Sequence, residues 1–336
     1  MQWYRIGLLV LVACADAGEG PAEEPVDPNA PAAPRGGVVE LSGDAGTVVP
    51  KAPCPSDMAY VDTMYCREVI RDCQEEEYEE KNNLHICHKY KEDYQRCTQA
   101  LEHRQFCIDK YEYPNKQGAH PVWNATWYEA QATCKSKNKR LCWQSEWTAA
   151  CEGSKHTPFP YGWKRDHHKC NMDNQWLTPK KGPHGFLFAE KDMGLRLLEL
   201  SRLDRSVPSG SQETCQSDFG VSDLTGNFDE WTIYDEKPKE KSRWASLKGG
   251  AWGHVRNQCR ASSHSHTPDE LYYFWSFRCC ADAEGAPEWQ PRKWAQNEKA
   301  PDVEAHDFFP DPIVPVNATG PSELKYNYRL GDYLKD

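Results

Sequence analysis

Hydrophobic positions are spread unevenly along the chain, and their spacing divides it into zones. The apolar run IGLLVLVA (Ile6–Ala13) follows Arg5 and ends at Cys14. It is too short to span a bilayer and fits the core of a signal peptide over residues 1–13. Residues 14–53 hold few large apolar side chains, and PAEEPVDPNAPAAPRGG (Pro21–Gly37) predicts a flexible tether that cannot bury a core. In residues 54–105, CREVIRDC (Cys66–Cys73) and CHKYKEDYQRC (Cys87–Cys97) are charged and helix-compatible, with the acidic run EEEYEEKNN between them. They predict a Cys-rich hairpin of two short helices, its acidic run a solvated face. Residues 106–282 carry most of the Trp, Gly and remaining Cys. There WYEAQATC has the spacing of an amphipathic helix capped near Asn124 or Thr126. SEWTAACEG predicts a second helix, with Ser145 as N-cap and Gly153 as terminator. Turns dominate elsewhere, so strands should be short. Residues 283–336 have no cysteine and several prolines, and are expected to wrap the surface or to be partly disordered. No internal repeat stands out.

Composition narrows the function classes. The 336 residues include 13 Trp, 16 Tyr and 10 Phe, with a hydrophobic fraction of 38%, enough for a sizeable aromatic core. The formal net charge of −11 sets the surface against phosphate backbones, which argues against a nucleic-acid partner. No run of 18 apolar residues offers a membrane-spanning helix. Leu11-Val12-Ala13-Cys14 resembles a bacterial lipobox, which implies lipidation at Cys14; an ordinary secretory peptide cut after Ala13 or Ala15 is the blander alternative. With Cys14 lipidated, fourteen of the 15 cysteines remain, an even number that allows seven disulfides. No CxxC occurs, so export to an oxidising compartment explains the density better than zinc does. Nested bridges Cys66–Cys97 and Cys73–Cys87 would staple the hairpin, although spacing alone leaves other connectivities open.

Several blocks, in order, resemble the formylglycine-generating enzyme (sulfatase-modifying factor) family. They are FCIDKYEYPN (Phe106–Asn115), WYEAQATC (Trp127–Cys134), KRLCWQSEWTAACEG (Lys139–Gly153), PFPYGW (Pro158–Trp163), FGVSDLTGNFDEW (Phe219–Trp231), LKGGAW and SFRCC (Ser276–Cys280). The resemblance covers about half the chain and implies an α+β, C-type-lectin-like, disulfide-rich fold with little regular secondary structure. It implies structural calcium held by the side chains of Asp223 and Glu230 and the carbonyls of Gly226 and Phe228, donors that suit a hard cation. The alternative is that Asp223 caps a turn and Glu230 pairs with an arginine. A second calcium site would begin at Asn171 and Met172, but its downstream aspartate is not obvious. The resemblance also implies disulfides Cys134–Cys279 and Cys151–Cys259, and leaves Cys142, Cys170, Cys215 and Cys280 to pair in an order it does not fix.

Catalysis in that family uses two cysteines, with four residues between them, that bind copper(I) just after the Gly-Gly turn. Here Cys259 is the sole cysteine between Gly250 and Cys279. One register sets His254 and Cys259 at the catalytic positions, as a mixed copper site. The other reads RASSHSHTPD after Cys259 as the stretch following the structural cysteine, so that the segment with the catalytic pair is missing. The second register is preferred, because it completes the disulfide pattern. His264 and His266 would share one face of a strand, yet no third metal ligand accompanies them; His167-His168 would face opposite ways if extended. Asn124-Ala125-Thr126 and Asn317-Ala318-Thr319 match glycosylation sequons that a bacterial lipoprotein would not normally use.

The expectation is therefore an exported protein, anchored by lipid in the bacterial cell envelope, whose domain is a non-catalytic binding or structural module for a protein or glycan. It would meet the membrane through its N-terminal lipid alone. Residues 250–259 and 267–275 are candidate surface loops. The alternatives are a copper-dependent oxidoreductase of formylglycine-generating type using His254 and Cys259, and a metal enzyme of another type using the histidines.

Overall fold

Residues 53–80, 83–180, 193–235, 244–253, 256–287 and 300–309 are described in a computed structural model. The leader, Cys14 and all but the last residue of the tether fall outside the described residues, as do His254 and most of the C-terminal extension.

The largest departure from expectation is in the Cys-rich zone, which is built of strands and has no helix. Strand β1 (Met58–Tyr65) alternates strictly from Ala59 onward. Ala59, Val61, Thr63 and Tyr65 point inward, and Tyr60, Asp62 and Met64 outward. It pairs antiparallel with β4 (Glu102–Asp109), from Met58 opposite Asp109 to Tyr65 opposite Glu102. β4 thus runs across residue 105, where the sequence reading ended the zone. Between them lies an exposed antiparallel hairpin of β2 (Val69–Glu79) and β3 (Leu84–Cys97). Its turn contains Asn83 at φ 52, a left-handed conformation that asparagine tolerates. The charges that read as a helix surface are cross-strand pairs instead: Glu76 with His85 at 3.3 Å and Glu77 with His88 at 2.8 Å. Disulfides Cys66–Cys97 and Cys73–Cys87 nest across it. Nested bridges suit two antiparallel helices as well as two antiparallel strands, so cysteine spacing could not separate the two.

Two small sheets and two helices enclose the core. The first sheet has the order β1-β4-β10-β5, with β5 at Arg140–Leu141 and β10 at Cys279–Asp282. The second has the order β8-β7-β6-β9, with β6 Asp229–Ile233, β7 Ala245–Lys248, β8 Ser262–Ser263 and β9 Trp275–Phe277. The Ile233 N–H donates to the Cys142 carbonyl at 2.8 Å and links the two. Helix α1 (Trp127–Ser136) starts at Thr126, whose hydroxyl accepts the Glu129 N–H while the Glu129 carboxylate accepts the Thr126 N–H. Helix α2 (Gln144–Glu152) is capped at Trp143 rather than Ser145; Ser145 lies in its first turn and donates to Asp235. Gly153 closes α2 at φ 67, and a Cβ there would sit 2.2 Å from Asp218 Oδ1. Helix α3 (Met193–Leu203) adds Leu200 and Leu203 to the core.

Tryptophans organise that core. Trp127, Trp147, Trp231, Trp252 and Trp275 are all but fully buried. Their indole N–H groups need acceptors inside the protein. Trp127 donates to Thr232 O, Trp231 to Ala125 O and Trp147 to Glu230 Oε2. Residues 300–309 lie along α1: the His306 N–H reaches Ala132 O at 3.2 Å, and Phe309 packs with Tyr113 and Phe277. The architecture is α+β, with more loop than regular structure.

Candidate functional site

Strand β7 delivers the chain into Gly249-Gly250, both left-handed, at φ 92 and 69. A Cβ on Gly250 would meet Asn257 Nδ2 at 3.0 Å. That close approach is used: the fully buried Asn257 donates to the carbonyls of Gly249, Gly250 and Ala251 at 3.3, 3.1 and 3.0 Å. The Gly250 N–H donates to Asp229 Oδ1 at 2.8 Å. One amide side chain therefore ties both ends of the loop, satisfying carbonyls that burial would otherwise strand. The loop then reaches Cys259, whose N–H donates to Pro158 O at 2.9 Å and whose carbonyl accepts from Lys248 Nζ at 2.8 Å.

Cys259 is fully buried and bonded to Cys151 of α2, with an S–S distance of 2.05 Å. No thiol is available there, so a copper site at His254 and Cys259 lacks its sulfur ligand in this structure. The remaining cysteines are equally committed. Cys134–Cys279 ties α1 to β10, Cys142–Cys280 ties the end of β5 to β10, Cys170–Cys215 joins two loops, and Cys54–Cys107 fastens the start of the described chain to β4. With the two hairpin bridges these occupy every cysteine among the described residues.

The two candidate surface loops direct their aromatic groups inward. Trp252 is 1% exposed, and the stretch Leu271–Trp275 is nowhere above 9%. Phe228, Trp252, Tyr273, Phe274 and Trp176 pack ring against ring. The aromatic content that suggested a binding face is core. The histidines of the HxH motif are also separately engaged. His264 Nε2 is 2.8 Å from Ser262 Oγ with its ring against Tyr234, and His266 Nδ1 is 2.9 Å from Glu270 Oε2 with its ring against Trp275.

The turn from Asp223 to Glu230 lies beside this loop, and burial sets its chemistry. Glu230 is fully buried and grips Arg278, also fully buried, through both carboxylate oxygens at 2.7 Å. Its Oε2 also accepts the Trp147 indole N–H at 2.9 Å. Asp223, at φ 60, accepts the Gly210 N–H on Oδ2 at 2.6 Å, and among the described residues its Oδ1 has no such hydrogen bond. Glu112 stands with them, accepting from Ser209 and Asn227 at 2.9 Å. Burial pushes the Glu112 carboxyl well above the usual range, and the charges of Asp223 and Glu230 add to the shift. Burial likewise raises Asp223 to about 6. Three buried carboxyl groups thus share one guanidinium. A carboxylate such as Asp223 and backbone carbonyls such as those of Gly226 and Phe228 are donor types that a hard cation takes. Glu230 corresponds to the blander expectation: its first partner is an arginine. Asn171 is drawn to the same turn, its carbonyl accepting the Asn227 N–H at 2.9 Å and its amide donating to Asn227 Oδ1 at 3.0 Å. Neighbouring Met172 is buried among Cys170, Cys215 and Tyr161.

Sequence reasoning missed Glu112, Asn257 and Arg278 as members of these networks. Glu112 and Arg278 were visible only as single charges inside aromatic or cysteine-rich runs, YEY and FRCC. Asn257 had no signal beyond its place after the Gly-Gly turn.

The sequence profile described as "Sulfatase-modifying factor enzyme 1-like domain" matches residues 74–283. The chain is 28% identical over 174 residues to the bovine (Bos taurus) protein named inactive C-alpha-formylglycine-generating enzyme 2, covering 50% of this chain and 52% of that one. It is 25% identical over 184 residues to the mouse (Mus musculus) formylglycine-generating enzyme, covering 48% and 44%. The chain therefore spans about half the length of the curated relatives it matches. Among solved structures, that of CarF aligns with 68% of this chain and 98% of its own at 14% identity, with a TM-score of 0.44.

Proposed function

This chain belongs to the sulfatase-modifying factor enzyme 1-like domain family, and we propose that it is a member without the family's thiol chemistry. On this reading it is an exported, lipid-anchored module of the bacterial cell envelope that binds or organises a protein or glycan. The observation that carries the proposal is the Cys151–Cys259 bridge. Oxidising a substrate cysteine through copper(I) needs thiolate ligands on the protein. The cysteine that follows the Gly-Gly turn has given up its thiol to a disulfide, and the loop before it is pinned by Asn257. A relative named as inactive in formylglycine generation supports a non-catalytic member, and the density of disulfides supports export to an oxidising compartment.

In the same proposal, a calcium ion at the Asp223–Glu230 turn is held by the Asp223 carboxylate and the carbonyls of Gly226 and Phe228. Its role is charge compensation for the Glu112, Asp223 and Glu230 group, with no part in a reaction.

The proposal is tested by incubating the purified protein, loaded with copper(I), with a peptide carrying a sulfatase-type cysteine motif, and reading the peptide mass. Unmodified peptide is expected. Formylglycine appearing at a rate that depends on Cys259 would overturn the proposal and restore the oxidoreductase alternative.

A further inference from the structure

We propose that Asp166, His167 and His168 form a surface site for a divalent transition-metal ion. It is separate from the Asp223 turn and independent of the non-catalytic reading. Extended backbone would send the two imidazoles to opposite sides, but this stretch is a turn. The Lys169 N–H donates to the Asp166 carbonyl at 3.1 Å, and the His168 N–H donates to Asp166 Oδ1 at 2.9 Å. That Asx turn brings the two imidazole rings to a centroid distance of 4.0 Å. One ligand atom from each of the three residues then lies within 4.8 Å of the other two, and among the described residues no other trio of His, Cys, Asp or Glu side chains does so.

The chemistry of this trio fits a metal better than it fits a fold contact. Both imidazoles are exposed, so they contribute nothing to a core. Among the described residues neither has a hydrogen-bond or ion-pair partner through its ring nitrogens, and the Asp166 carboxylate has no ion pair. Two imidazoles and a carboxylate are ligands that zinc, copper, nickel and iron share. Around a tetrahedral ion with bonds of about 2.0–2.1 Å, ligand atoms stand about 3.3 Å apart. Closing from 4.8 Å needs rotation of the two exposed imidazoles and of the half-buried Asp166 carboxylate. Three protein ligands leave at least one coordination position for water or an added ligand.

The neighbouring bases do not occupy the site. Arg165 is turned to Asp173 and Asn257, and Lys169 Nζ lies 5.4 Å from the centre of the Tyr161 ring. The frame is also firm. The Asp166 N–H donates to the Tyr161 hydroxyl at 3.2 Å, Thr214 Oγ1 donates to the Lys169 carbonyl at 3.1 Å, and the Cys170–Cys215 disulfide follows directly. A firm backbone beneath the ligands lowers the cost of ordering them.

The test is calorimetric titration of zinc into metal-free protein. One zinc per chain is expected, with affinity lowered at least tenfold in a His167→Ala/His168→Ala double variant and kept in a His264→Ala/His266→Ala variant. Because His167 and His168 are exposed, the first variant should melt with the wild type, and that melting curve is recorded beside the titration. Failure of the wild type to bind zinc overturns the site, and so does equal binding by the His167→Ala/His168→Ala protein.

Discussion

Cys259 and Asp109 are buried groups whose chemistry is set by their neighbours. The sulfur of Cys259 is closed by Cys151, which leaves no thiol there to activate. Asp109 is 1% exposed; its Oδ1 accepts from Lys139 at 2.7 Å and its Oδ2 from the Cys279 N–H at 3.1 Å. Burial nonetheless dominates and pushes its carboxyl up to about 6, against the pull of Lys139. A carboxyl whose folded pKa lies above its unfolded value favours the native state when protonated. Its contribution is full below about pH 4 and is lost as the pH rises through about 6. A shift of that size corresponds to about 3 kcal/mol. Denaturant melts between pH 4 and 7 should therefore show wild type losing about that much stability relative to Asp109→Asn. Parallel pH profiles for the two proteins would contradict this assignment.

At the scale of elements, what could be read in the sequence followed how local the signal was. Helices α1 and α2 have caps and small residues within one short stretch, and α2 a closing glycine, so their existence was legible even though the N-cap of α2 was placed at Ser145 rather than Trp143. The β2–β3 hairpin was not. Its strand β2 is exposed on almost every residue, so no alternation of apolar and polar positions marks it. It is held by two disulfides and by an anchor in the body, where Arg71 and Arg260 both pair with buried Glu152 at 2.6 Å. Burial by itself would raise the Glu152 carboxyl, but the two guanidinium groups overcome that and hold it below its ordinary value. The Asp223–Glu230 turn was legible in its residue types, but Arg278 and Glu112, distant in sequence, decide its charge. If calcium supplies the missing charge, adding it at about 100 times its dissociation constant to metal-free protein stabilises the fold by about 2.7 kcal/mol, or roughly 5–10 °C in melting temperature. The rise should vanish in Asp223→Asn. Identical melting of the wild type with and without calcium would remove the ion from the account.

Across the whole molecule, the described residues form three short helices and several strands of two to four residues, held in shape by covalent staples and an aromatic centre. Bridges that span 145, 138 and 108 residues close long loops, the case in which a cross-link constrains the unfolded chain most. The same staples define the functional claim. Among the described residues every cysteine is bonded into a disulfide, so none offers a thiol to copper(I), and the aromatic stretch 271–275 fills the core instead of offering a face. Family and fold class were legible because motif blocks lie close in sequence. The burial of residues 271–275 was not, since it depends on Trp176 and Trp252 arriving from elsewhere. The most direct test of the central claim is a thiol titration of the mature, unreduced protein in denaturant. Zero thiols per chain are expected, with Cys151 and Cys259 recovered in one disulfide-linked peptide. A reactive thiol at Cys259 would contradict the account.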